Sequence, residues 1–209
     1  FPKLRKLEMI KDSVKKIGTF SNCDNLEEID LSGNLIKRID VGALTDCKKL
    51  KSLNFSRNSV LRIHERSLEP LENLTELDLS SNDIESFYTK TLDLKNLKKL
   101  FLQSNKLKEI PAETFGDMVN LVELDLSNNP IVMLDYLIFE FTSKLEVLTL
   151  KSLKIVKLHQ FTFRNLVRLK VLDVSDNNLR HLGGALLVTN TALEVIKING
   201  CGLTSMGLS

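Results

Sequence analysis

Any catalysis or metal binding by this chain would fall to three histidines and three cysteines, assisted by serines and carboxylates. Cys23, Cys47 and Cys201 give no CxxC pair and no metal-ligand cluster. His64, His159 and His181 are scattered, so no serine or cysteine nucleophile has a general base at a recognisable spacing. No glycine-rich loop offers backbone amides to a phosphate. We assign no catalytic residue, no metal ligand and no cofactor, and an enzyme is not expected. Covalent modification has a motif. Asn73-Leu74-Thr75 and Asn54-Phe55-Ser56 are acceptor tripeptides for N-linked sugar, although a chain this rich in asparagine also produces them by chance.

The totals set the class. With 209 residues, 43% of them hydrophobic, the chain can form one sizeable domain or an elongated repeat array. A net charge of +2 argues against steering toward nucleic acid or an anionic membrane. No apolar run approaches the roughly 20 residues that a membrane span needs. No signal peptide is visible, and the chain opens at Phe1 without a start methionine. Tryptophan is absent and there are two tyrosines, so the residues that usually dominate binding hot spots are scarce.

Whatever this chain does must be positioned by a repeat. Leucines at 26, 50, 74, 97, 121, 145, 169 and 193 each open a copy of LxxLxLxxNxLxxI, in steps of 24 residues with one of 23. A looser copy opens at Leu4. Counting the opening leucine as slot one, Leu74, Leu77 and Leu79 face inward while Glu76, Asp78 and Ser80 face outward. Period two predicts a strand. Six positions before each next copy comes a second apolar series, including Phe20, Leu44, Phe115, Phe139 and Phe163. A third follows three residues later, with Cys23, Cys47, Leu71, Leu94 and Met118. One such unit cannot stand alone. Ordering its residues costs on the order of 30 kcal/mol, and burying its apolar side chains returns roughly 10–20 kcal/mol. Stacked copies supply the missing burial and align the strands into one parallel sheet.

Asparagine follows each strand at slot nine: Asn34, Asn58, Asn82, Asn105, Asn129 and Asn177. An inward amide carries both donor and acceptor and can satisfy the turns above and below it. Cys201 and Leu153 take that slot in two copies. Leucine cannot hydrogen-bond, so an irregularity or a trapped water is expected near Leu153.

These copies resemble the leucine-rich repeat proteins of the 24-residue type, over essentially the whole chain. The resemblance implies an α/β-type solenoid of about eight to nine repeats. It would be a curved array with a concave parallel sheet and an irregular or short-helical convex side. The phenylalanine-bearing form is typical of animal extracellular proteins: Toll-like receptor ectodomains, Slit-like guidance proteins and secreted immune repeat proteins. Cysteine-rich caps are absent. Residues 1–209 are therefore expected to be a single repeat domain cut from a longer protein.

The register decides how charges are read. In slots two and three each basic residue mostly faces an acidic or neutral one in the next copy, as in Arg5, Glu27, Lys51, Thr75, Lys98 and in Glu76, Lys99, Glu123. Adjacent parallel strands lie ~4.8 Å apart, so the lysine-rich runs read as a solvated charge ladder rather than an anion site. Slot five places Asp30, Asp78, Asp125 and Asp173 in every second copy, a spacing that limits repulsion. The same acids would also serve as a stripe awaiting a basic partner. Cys23 and Cys47 share an inward slot and are read as buried free thiols packed as small hydrophobes. α-Carbons about 5 Å apart would also permit a disulfide. His64 and His159 share a phase four repeats apart, roughly 19 Å, too far to cooperate.

Two surfaces are candidates for partner binding. On the concave face Phe101 stands where neighbouring copies carry aspartate, flanked by Lys99 and Gln103, with Asp78 and Asp125 on the adjoining strands. It is read either as an anchor or as a tolerated substitution. Ile10, Val147, Val171 and Val195 are weaker exposed apolar points. The other surface lies after the strand, at slots twelve and thirteen. There Val132, Met133 and Val156 replace the polar pairs of other copies, and Tyr136 and Phe141 add apolar surface, read either as an interface or as extra packing beneath an irregular convex segment. Toll-like receptors pair through a lateral face of this kind, so the resemblance implies a dimer partner as an option.

The expected function is that of a non-catalytic extracellular recognition module, secreted or part of a receptor ectodomain. It would bind a protein ligand, or a homo- or hetero-dimer partner, through the concave sheet or the lateral edge. Nucleic acid is not favoured and no membrane contact by this segment is expected. The rival readings are an intracellular scaffold or adaptor and a structural matrix protein. Asn73 is the reachable sugar acceptor; a sugar on Asn54 would obstruct the concave face.

Overall fold

The computed structural model describes residues 3–87 and 91–206. Its strands, in chain order, are β1 (Lys6–Glu8), β2 (Glu28–Asp30), β3 (Arg38–Ile39), β4 (Ser52–Asn54), β5 (Arg62–Ile63), β6 (Glu76–Asp78) and β7 (Lys99–Phe101). They continue with β8 (Glu123–Asp125), β9 (Val147–Thr149), β10 (Val171–Asp173), β11 (His181–Leu182), β12 (Val195–Lys197) and β13 (Ser205–Met206). Nine of them form one parallel sheet in the order β1-β2-β4-β6-β7-β8-β9-β10-β12. Each pairs with the equivalent residue of the next copy, as in Leu77 with Leu100 and Leu100 with Leu124. The array is curved, with this sheet on its concave side. Two 3-10 turns, Ala112–Phe115 and Gly184–Leu187, are the helical elements among the described residues.

The alternation read from the sequence is what the packing shows. Leu53, Leu77, Leu100, Leu124 and Leu148 are fully buried, while the residues on either side of each are at least partly open to water. On the far side Phe115, Phe139 and Phe163 stack with ring centroids 6.5 and 6.2 Å apart. Offset contacts at this separation add to area burial. After each strand, slot eight adopts left-handed backbone. Lys11, Gly33, Arg57, Ser81, Ser104, Asn128, Ser152, Asp176 and Gly200 all have φ between 53° and 71°. That conformation disfavours ordinary side chains, so something must repay it at every copy.

The asparagine ladder does so in the copies whose slot nine is asparagine; at Ser152, which precedes Leu153, the backbone N–H still donates to Ser175 O at 2.9 Å. Asn82 Oδ1 accepts the N–H of Val60 at 2.9 Å, and its Nδ2 donates to Phe55 O at 2.9 Å and Leu79 O at 3.1 Å. Asn58, Asn105, Asn129 and Asn177 repeat the arrangement. The irregularity expected at Leu153 is a break in this ladder. Leu153 is buried but offers no acceptor, and Ile131 N–H has no hydrogen bond among the described residues. Cys201 keeps half the role, its Sγ donating to Val174 O at 3.1 Å.

Cys23 and Cys47 are joined in a disulfide, with α-carbons 4.8 Å apart. This corrects the free-thiol reading. A repeated inward slot in adjacent copies stacks the two sulfurs as closely as it stacks two leucines, which is within bridging range. Cys201 is free and buried.

Candidate functional site

The charge ladder is built as its register requires. Lys51 pairs with Glu27 at 2.6 Å, Lys170 with Glu146 at 2.7 Å, Lys6 with Glu28 at 3.3 Å and Lys99 with Glu123 at 3.4 Å. The Lys51 ammonium holds the Glu27 carboxyl below its ordinary range. Exposed pairs such as these add little stability. Their consequence is that Lys99, beside Phe101, is already committed to Glu123.

The acids of slot five have a local duty that neither repulsion nor a waiting partner accounts for. Asp30, Asp78, Asp125 and Asp173 each accept the backbone N–H two residues on, at 2.8 to 2.9 Å. Asn54 does the same for Ser56 at 2.8 Å. This is an Asx turn that closes the strand. The recurring D-x-S wording of the sequence carries that signal.

Phe101 cannot make that bond. It lies in register between Asp78 and Asp125, half-exposed, and the residue two places on is Gln103 instead of serine. Gln103 Oε1 is shielded and has no hydrogen-bond partner among the described residues. Burial pushes the Asp125 carboxyl up, although its bonds from Ser127 pull the other way. The site is thus a ring between two carboxylates, at a strand that forgoes the turn bond of its neighbours.

On the lateral edge, Val132 and Met133 are 57% and 71% exposed, and Val156 is also exposed. Tyr136 packs on His159, and His159 on Phe161, with centroids 5.0 and 5.3 Å apart. His159 and Phe161 join this surface without a sequence signal, because the exposed convex positions around the phenylalanine spine keep no fixed residue type. Phe141 is placed elsewhere: it lies beside Gly116, in a hollow with Leu92 and Glu113. The edge backbone is also interrupted here. Asp83, Lys106 and Lys154 N–H donate to Val60, Ile84 and Ile131 O at 2.8 to 3.0 Å, but Pro130 has no N–H for Leu107 O.

The sugar acceptors differ. Asn73 is exposed, its Nδ2 donating to Lys48 O at 2.8 Å. Asn96 and Asn120 make equivalent bonds to Glu72 O and Lys95 O, a second ladder not foreseen from the sequence. Asn54 is half-buried, with its amide engaged to Asp30 and Ser56. The histidines stay apart, and among the described residues no group of three His, Cys, Asp or Glu is placed to hold a metal ion. No helix among them is long and apolar enough to cross a membrane.

Family models described as leucine rich repeat match residues 24–84, 89–131 and 143–203, and again residues 120–143. No curated protein matches the chain. Similar solved structures include a chain of the Drosophila Toll–Spatzle complex, described as a hub in development and innate immunity. It is 23% identical with TM-score 0.77, over 94% of this chain and 30% of that one. A chain of the TLR13–ssRNA13 complex is 19% identical with TM-score 0.67, over 89% and 33%. The chain thus spans about a third of the length of either. Identities this low carry the architecture, and 412 solved chains share it, so the ligand must be argued from the surface.

Proposed function

The chain belongs to the leucine-rich repeat family, and from that premise we propose that it is a non-catalytic, extracellular recognition module. It takes a protein ligand on its concave sheet, with Phe101 as the anchor. The observation that carries this reading is the exchange at β7. A half-exposed aromatic ring replaces the acid that closes neighbouring strands, at the cost of a turn bond, with Asp78 and Asp125 on either side. A ring with a polar rim is the arrangement of a hot spot. The Cys23–Cys47 disulfide suits an oxidising compartment and supports the extracellular placement. Carboxylates along the sheet disfavour a phosphate backbone. The lateral edge is the second reading, favoured by the exposure of Met133 beside an interrupted backbone ladder.

The test is affinity capture from extracellular fluid by the immobilised chain, run in parallel with Phe101→Ala and Met133→Ala. A protein recovered by the parent chain and by Met133→Ala, and lost with Phe101→Ala, supports the concave reading. Loss with Met133→Ala alone transfers the function to the edge.

A further inference from the structure

The concave sheet has two chemically different halves. On β1, β2, β4 and β6, slots three and five carry Glu8, Glu28, Asp30, Glu76 and Asp78 against the single cation Lys6. Lys6 is taken up by Glu8 at 2.9 Å and Glu28 at 3.3 Å. The Glu76 carboxylate and the second oxygen of Asp78 have no hydrogen-bond or ion-pair partner among the described residues. The acidity is local, since the whole chain carries +2.

On β9, β10 and β12, slot three is Val147, Val171 and Val195, in register on successive strands. Val195 is exposed and the other two are half-exposed. Slot five there is balanced, with Lys197 3.9 Å from Asp173. Three adjacent valines make a continuous apolar stripe facing water, separated from the acids of β2 and β6 by Phe101 on β7 and by β8, where Glu123 is paired with Lys99 and Asp125 closes its own turn.

Resting on the concave-sheet reading above, we propose that the occupant of this face is a two-part protein segment. A lysine- or arginine-rich stretch lies over β2, β4 and β6. An apolar stretch lies over β9, β10 and β12, and the segment crosses the strands with a fixed polarity. Charge complementarity fixes the first part, because unpaired carboxylates beside a low-dielectric sheet favour a cationic neighbour. The valines fix the second, because covering them removes apolar area from water. The sheet also sets the spacing. From β4 to β10 is five strand intervals, about 24 Å. An extended chain covers roughly 3.3 Å per residue, so about seven residues separate the centres of the two parts.

The test uses fluorescence anisotropy of two labelled synthetic peptides titrated against the intact chain. One carries four arginines, a three-residue Gly-Ser spacer and four residues drawn from valine, isoleucine and phenylalanine. The other has the same composition with arginine and apolar residues interleaved. The spaced peptide is expected to bind at least tenfold tighter, and Glu76→Gln and Val171→Thr, both conservative on a water-facing strand, should each erase most of that preference. Circular dichroism verifies that both variants fold. Equal affinity for the two peptides, or binding of neither, overturns the proposal. If Glu76→Gln and Val171→Thr weaken both peptides equally, the two-part order fails and the concave reading stands. If Met133→Ala alone weakens them, both fail.

Discussion

Asp125 Oδ1 accepts both the backbone N–H of Ser127 at 2.8 Å and its hydroxyl at 2.5 Å, yet burial lifts this carboxyl above its ordinary range. Burial therefore outweighs the two bonds. A folded pKa above the unfolded one means that the folded state binds more protons between the two values. Stability then falls as pH rises through that window. Asn54 shows that an amide closes the same turn without the charge. We expect Asp125→Asn to raise the melting temperature at pH 7. The gain should shrink toward zero at about pH 3, where the aspartate is protonated in both states. Paired thermal melts check this, and a lower melting point at pH 7 would contradict it.

The slot-nine amides hold the turns, so Asn105→Ala should cost about 1–3 kcal/mol by leaving buried backbone groups unpaired. The reverse exchange is informative. Leu153→Asn restores an acceptor for Ile131 N–H, so it should stay within about 1 kcal/mol of the parent. Leu148→Asn, equally buried but facing no such gap, should cost more than about 3 kcal/mol. Urea melts rank the three.

Closing a 24-residue separation, the Cys23–Cys47 bridge should contribute about 3 kcal/mol through the unfolded chain. Reduction, or the Cys23→Ser/Cys47→Ser pair, should lower the melting temperature by several degrees. An unchanged melt under reductant would speak against the bridge.

When the chain is secreted from animal cells, Asn73 should carry a glycan and Asn54 should not. Asn73 is open, whereas Asn54 is half-buried with both ends of its amide engaged. Intact-mass measurement before and after Asn73→Gln decides this; sugar on Asn54 would be the contrary result.

What the sequence disclosed and what it withheld divide along periodicity. The strands, the Asn34–Asn177 ladder and the Phe115–Phe163 spine recur every 24 residues or nearly so, and repetition makes a slot's role readable from its neighbours. The D-x-S turn recurs in every second copy, but a charge on an exposed face suggests electrostatics before it suggests a backbone bond. A cysteine pair in a core slot looks the same whether it packs or bridges, so Cys23 and Cys47 needed coordinates. Outside the phenylalanine spine the convex positions follow no fixed residue type, and there the spacing could not separate Phe141, which sits by Gly116, from Tyr136, which sits on His159. Leu153 announced its break because leucine cannot hydrogen-bond, but the separate backbone ladder that Pro130 interrupts at Leu107 O has no side-chain signal at the other copies.

In the proposed function the concave sheet, through Phe101, is the working surface. Its most direct test is a titration of the captured protein against the parent chain, Phe101→Ala and Met133→Ala. Removing the ring should cost about 2 kcal/mol or more, roughly a thirtyfold loss of affinity, while Met133→Ala changes it less than about twofold. A Phe101→Ala titration that overlays the parent, beside a Met133→Ala titration that does not, would contradict the account and give the function to the lateral edge.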